Sequence, residues 1–129
     1  MGKYFARCTS KAVINKGKGK HMNIYELEKI LPNGFHDIAI KKMDVDFGNK
    51  SIRMTIEVDE SGKVVELLFT GMEELKLNEE VVFNGDGSLW VTDFGPLNEG
   101  SQKMNTEFYF FISNLNAFLN FKIANAEII

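Results

Sequence analysis

Ile52-Arg53-Met54-Thr55-Ile56-Glu57-Val58 alternates apolar and polar side chains without a break, and a period of two puts Ile52, Met54, Ile56 and Val58 on one face of an extended strand. Turn residues stand at both ends, Phe47-Gly48-Asn49-Lys50 before it and Asp59-Glu60-Ser61-Gly62 after it. The stretch is therefore expected as the middle strand of a meander. Its follower, over residues 63–70, carries Val65, Leu67 and Phe69 on one face. The strand before it, over residues 37–47, begins with Ile38 and Ile40 inward and ends with Met43, Val45 and Phe47 inward. That change of parity needs one extra residue and predicts a β-bulge near Lys41-Lys42.

Outward from this meander the same period continues. Strands are expected over residues 72–77, 81–83 and 88–94, with the turn Asn84-Gly85-Asp86-Gly87 between the last two and the longest loop over 95–105. Residues 106–112 are apolar on both faces and read as a central strand. Residues 119–129, with Leu119, Phe121 and Ile123 in phase, are expected to pair with it across Ser113-Asn114-Leu115-Asn116. One segment breaks the period: Ile24, Leu27 and Leu31 form a stripe of helical spacing. Asn23 and Glu26 supply a capping box at its start, and Pro32-Asn33-Gly34 ends it. The expected fold is all-β with one short N-terminal helix, an antiparallel β-sandwich or partly closed barrel of about six to eight strands.

A chain of 129 residues, 44% hydrophobic and 26% charged, has the length and composition of one soluble globular domain. The net charge of -3 is unevenly distributed. Residues 1–21 hold six basic side chains and no acidic one, leaving 9 basic and 18 acidic side chains, a net -9, for residues 22–129. The division is read as a basic arm over 1–21 and a single β domain over 22–129. The arm has the character of an upstream in-frame extension or vector sequence, with a basic arm for nucleic acid or acidic lipid, or a transit peptide, as alternatives. The acidic body repels phosphate backbones, which argues against nucleic acid and for a basic protein partner. The single cysteine, Cys8, allows no intrachain disulfide and fits a reducing cytoplasm. No apolar run is long enough for a membrane helix.

Most catalytic signatures are missing. There is no G-x-S-x-G, no Walker loop and no G-x-G-x-x-G, and His36 is the one histidine of the body. Asp44-Val45-Asp46-Phe47-Gly48-Asn49 opens like a calcium loop, but Thr55 stands where the bidentate glutamate is required. No cofactor is expected. The candidate binding residues are His36 and Asp37 in Gly34-Phe35-His36-Asp37, and Asp44 and Asp46, with Glu57 and Asp59 expected across the hairpin from them. The structural reading has Phe35 plugging the core and His36 capping backbone groups at the turn.

The run Leu31-Pro32-Asn33-Gly34-Phe35-His36-Asp37-Ile38, then Met43-Asp44-Val45-Asp46-Phe47 and the alternating strand after it, resembles small uncharacterised bacterial β-rich proteins. These carry an N-terminal GFHD-like motif and a strand that ends in Asp-aromatic, and some are similar to immunity proteins. The resemblance spans residues 31–58, with Asp46-Phe47 in place of Asp-Tyr and Ile38 in place of alanine, and implies a bacterial β-protein without assigning an activity. The expected function is a cytoplasmic, non-enzymatic protein-binding module, able to self-associate as a homo-oligomer. Two alternatives stand beside it: a carrier of a small apolar ligand in a phenylalanine-lined cavity, and a metal-dependent enzyme using His36 with nearby acids.

Overall fold

The computed structural model describes residues 22–58, 62–81, 85–97 and 106–129. The expectations for residues 1–21, for Asp59 and for most of the 95–105 loop fall outside that set. The expected strand over 81–83 falls largely outside it too, and Val81 itself belongs to no strand.

Helix α1 spans Ile24–Ile30. Its capping box is complete, with Glu26 N donating to Asn23 Oδ1 at 2.9 Å and Asn23 N donating to Glu26 Oε1 at 2.9 Å. Ile24 and Leu27 are buried on its inner face, and Leu31 in extended conformation ends it ahead of Pro32. Nine strands follow: β1 Pro32–Phe35, β2 Ile38–Asp46, β3 Ser51–Glu57, β4 Val64–Thr70, β5 Glu74–Leu77, β6 Leu89–Pro96, β7 Glu107–Ile112, β8 Ala117–Lys122 and β9 Asn125–Ile128. Eight of them form one antiparallel sheet in the order β5-β8-β7-β6-β2-β3-β4-β9.

That order excludes a flat sheet. β4 and β5 stand six places apart, about 29 Å at the usual strand spacing, yet Gly71-Met72-Glu73 can span at most about 14 Å. β8 and β9 face the same conflict across Ile123 and Ala124 alone. The sheet must curl until its ends meet, and the hydrogen bonds show how. Ala124 N donates to Thr70 O at 2.9 Å and Glu73 N donates to Lys122 O at 2.7 Å, so the β4–β9 ladder passes round a corner into the β5–β8 ladder. The fold is thus a curled all-β sheet with one short helix, of the partly closed barrel kind. The strand expected over 119–129 is two strands, because its inward positions change from Leu119, Phe121 and Ile123 to Ala126 and Ile128 at the corner.

The alternation in β3 is as expected: Ile52, Met54, Ile56 and Val58 are buried, facing Val65, Leu67 and Phe69 of β4. The bulge in β2 is present, as a register shift between Ile40 and Lys42. Beyond it Met43 packs on the core, but Val45 is exposed and Phe47, in the turn, is 87% exposed, because the hairpin outruns the elements that would cover it. β6 holds a second irregularity, between Val91 and Asp93, which keeps both Val91 and Phe94 inward although they are three residues apart.

The interior is built on phenylalanine. Phe35, Phe69, Phe108, Phe110 and Phe121 are fully buried, and their rings touch one another: Phe108 stacks on Phe121 at 4.7 Å, and Phe110 lies 5.1 Å from Phe35 and 5.3 Å from Phe121. Polar turn residues fasten the strand ends. Asn114 accepts from Trp90 N at 3.0 Å and donates to Ser88 O at 3.0 Å, while Asn78 Oδ1 accepts from Phe118 N at 2.8 Å.

The approach to β6 is tied to β2 by Lys41, whose ammonium donates to Asp86 Oδ2 at 2.7 Å. That bond, with help from Ser88 N, holds the Asp86 carboxyl well below the usual carboxylate range, and the same bond raises Lys41. A depressed carboxylate stabilises the fold above its unfolded pKa and loses that effect as pH falls through the folded value. A raised lysine stabilises below its unfolded pKa and loses the effect as pH climbs past the folded one. The stability difference between the protein and Asp86→Asn is therefore expected to stay flat from about pH 5 to pH 9 and to shrink below about pH 4. Urea denaturation at each pH measures it, and a difference that grows in acid would contradict the assignment.

Candidate functional site

His36 opens the β1–β2 connection, and its backbone N–H donates to Asn33 O at 3.2 Å. The imidazole does something other than the expected capping. Its Nε2 lies 3.7 Å from Glu28 Oε2 of α1 and its Nδ1 lies 4.0 Å from Asp93 Oδ1 of β6, so it stands between carboxylates from two elements. The Glu28 side chain reaches this position by lying against Gly34. Both separations exceed hydrogen-bond length, and all three side chains keep contact with solvent.

The remaining candidates have separate positions. Asp37 is exposed, with a positive φ of 59° that forms the turn into β2. Asp44 is exposed on β2 opposite Arg53, and its carboxylate is 3.5 Å from Lys42 Nζ. Asp46 serves the hairpin turn, accepting from Asn49 N at 3.1 Å and Asn49 Nδ2 at 2.8 Å, and these bonds lower its pKa. Most of β2 lies between His36 and Asp46, about 30 Å of extended chain, so the four residues do not form one site. Glu57 is not across from Asp44 and Asp46 as expected: in the β2–β3 register it pairs with Ala39, at the other end. Among the described residues no group of three or more metal-ligating side chains converges.

What does converge is a cleft of about 450 Å³ between α1 and β6, lined by Tyr25, Glu28, Lys29, His36, Phe94, Gly95 and Pro96. Tyr25 forms one wall; its ring lies 5.5 Å from that of Phe94, and its hydroxyl donates to Glu107 O at 2.9 Å. Gly95 joins the cleft to the outer face of the sheet. A Cβ there would lie 2.8 Å from Tyr109 Oη, so only glycine lets the Tyr109 ring lie flat on β6. The Tyr109 hydroxyl donates to Asp93 Oδ2 at 3.4 Å, and burial together with that carboxylate pushes its pKa up, so it remains a donor at neutral pH.

From Tyr109 the outer face continues as an aromatic surface. Phe118 lies 5.4 Å from Tyr109 and 5.0 Å from Phe111, with which it is paired across β7 and β8. Phe118 is 41% exposed, and Trp90, outward on β6, is 47% exposed. A strand face facing water ordinarily carries polar residues, and a contiguous aromatic patch on one is a feature of interaction sites. Compared with known proteins, the chain matches no family model, no curated protein and no solved structure.

Tyr25, Glu28, Asp93, Tyr109 and Phe118 were not singled out by the sequence. One signal was there: residues 106–112 are apolar on both faces, and the outward members of that run, Tyr109 and Phe111, belong to the surface patch rather than to the core.

Proposed function

We propose that the chain is a non-enzymatic protein-binding module of the bacterial cytoplasm, immunity-like in its mode of action, whose partner is a basic protein. The observation that carries this reading is the outward aromatic cluster of Tyr109, Phe111 and Phe118, with Trp90 on the same side of the sheet. Exposed tyrosine, tryptophan and phenylalanine supply much of the energy of protein interfaces, and the net -9 of residues 22–129 steers a cationic partner toward them. The mutual packing of the buried phenylalanines supports this reading over a carrier, since the rings occupy the space that an apolar ligand would need. Among the described residues no helix is long and apolar enough to cross a membrane.

The position of His36 between Glu28 and Asp93 favours a second reading, an enzyme with a histidine–carboxylate centre. It is the weaker of the two. The carboxylates face opposite ring nitrogens, so one ion cannot bind both of them and the imidazole without rearrangement.

Basic proteins encoded beside the gene, purified and titrated by calorimetry, test the binding reading. A saturable complex is expected, with Phe118→Ala and Trp90→Ala each raising Kd about 10–100-fold, or about 1.4–2.7 kcal/mol, while both variants stay folded at the assay temperature. Weakening by salt should appear in the association rate. A partner bound equally well by the double variant would overturn the assignment of this face. Turnover lost in His36→Ala while that variant still binds the partner would move the enzyme reading ahead.

A further inference from the structure

We propose that the cleft between α1 and β6 is the pocket for an arginine side chain of the partner. The inference rests on the protein-binding reading and adds the chemistry of the partner's anchoring residue. Three features of the cleft carry it.

The first is shape: a concave site of about 450 Å³ has the size to admit one extended side chain. The second is its walls. Tyr25, Phe94 and Pro96 are apolar, suited to the methylene stem, and an aromatic ring such as that of Tyr25 attracts a planar cation. The third is charge. Glu28 lines the cleft and its Oε2 is 3.7 Å from His36 Nε2, beyond hydrogen-bond length, while Asp93 lies outside the lining on the other side of that imidazole.

A guanidinium satisfies all three features together, because it stacks with its face and pairs with a carboxylate through its edge. A lysine ammonium fits the charge but lacks the planar edge and holds its water more strongly. Lys29 also lines the cleft and opposes a cation, but its ammonium ends a flexible stem that can turn outward to solvent. Gly95 lines the cleft and lies against Tyr109, so an arginine seated here would sit beside the proposed interface.

The test needs no partner. N-acetyl-arginine amide is titrated into isotope-labelled protein at pH 7.5 and followed by amide chemical shifts, beside its neutral isostere N-acetyl-citrulline amide and beside N-acetyl-lysine amide. Saturable shifts are expected at Tyr25, Glu28, Lys29, His36 and Gly95 with the arginine probe. The citrulline probe should bind at least tenfold more weakly, the lysine probe should fall between them, and Glu28→Gln should abolish the preference for arginine over citrulline. Equal shifts for arginine and citrulline, or shifts scattered over the acidic surface, would overturn the pocket, and that comparison requires no variant to fold. The two proposals also fail separately. A cleft indifferent to arginine, in a protein whose partner binding still depends on Phe118, removes the pocket and leaves the binding face.

Discussion

Phe110→Ala is expected to lower the free energy of unfolding by about 3–5 kcal/mol, the usual cost of deleting a fully buried aromatic ring. Phe110 is 0% exposed in the strand between β6 and β8, and its ring meets Phe35, Phe94, Phe108 and Phe121 at centroid distances of 5.1, 6.0, 5.3 and 5.3 Å. These neighbours come from β1, β6, β7 and β8, and the β6–β7 and β7–β8 ladders hold Phe94, Phe108 and Phe121 back from the vacated space. A domain of this size has roughly 5–15 kcal/mol of stability in all, so the variant should be only marginally folded. Guanidinium denaturation measures the loss, and Phe118→Ala, on the outer face of the adjacent strand, is the control expected to cost under about 1 kcal/mol. A loss below about 1 kcal/mol for Phe110→Ala would mean that the phenylalanine cluster is loosely filled, and would return the ligand-carrier reading to consideration.

Strand β3 and the bulge in β2 were legible because each is a local statement about period. Ile52 to Val58 alternate without interruption, and the change of parity between Ile40 and Met43 must be absorbed within the strand that contains it. The helix start was legible for the same reason, since Asn23 and Glu26 answer each other within one turn. The corner was not. Its trace is the passage of inward positions from Ile123 to Ala126, yet a parity change does not distinguish a bulge from a bend between two ladders. The cleft was still less accessible. Period reports which face a residue occupies, whereas His36 meets Glu28 and Asp93 only because α1 and β6 pack on opposite sides of one turn. Tyr109 and Phe111 mark the same limit: an apolar run buried on both faces and one with an aromatic outer surface have the same pattern in one dimension.

Gly71→Ala is expected to cost about 2–4 kcal/mol, combining the left-handed backbone penalty of an L side chain with overpacking at the corner. Gly71 has φ +65°, and a Cβ placed on it would run into the Ala124 methyl, with Ala124 Cα and N 3.4 Å away. This is where the chain leaves the β4–β9 ladder for the β5–β8 ladder, and close approach of the two segments there lets Ala124 N reach Thr70 O. Ala124 is exposed and can yield somewhat, which holds the cost below that of a core clash. The two contributions separate in a double-mutant cycle. Ala124→Gly removes the methyl, so Gly71→Ala on that background should cost only the backbone penalty of about 1–2 kcal/mol, and the remainder is the coupling between the sites. Amide exchange should accelerate first in β5 and in the part of β8 it covers, because those strands depend on the corner for their place in the sheet. A strictly additive cycle would mean that the two segments do not meet at Gly71. The curl of the sheet would then depend on the neighbouring hydrogen bonds alone, and the outer face of β8 that carries Phe118 should remain protected in Gly71→Ala.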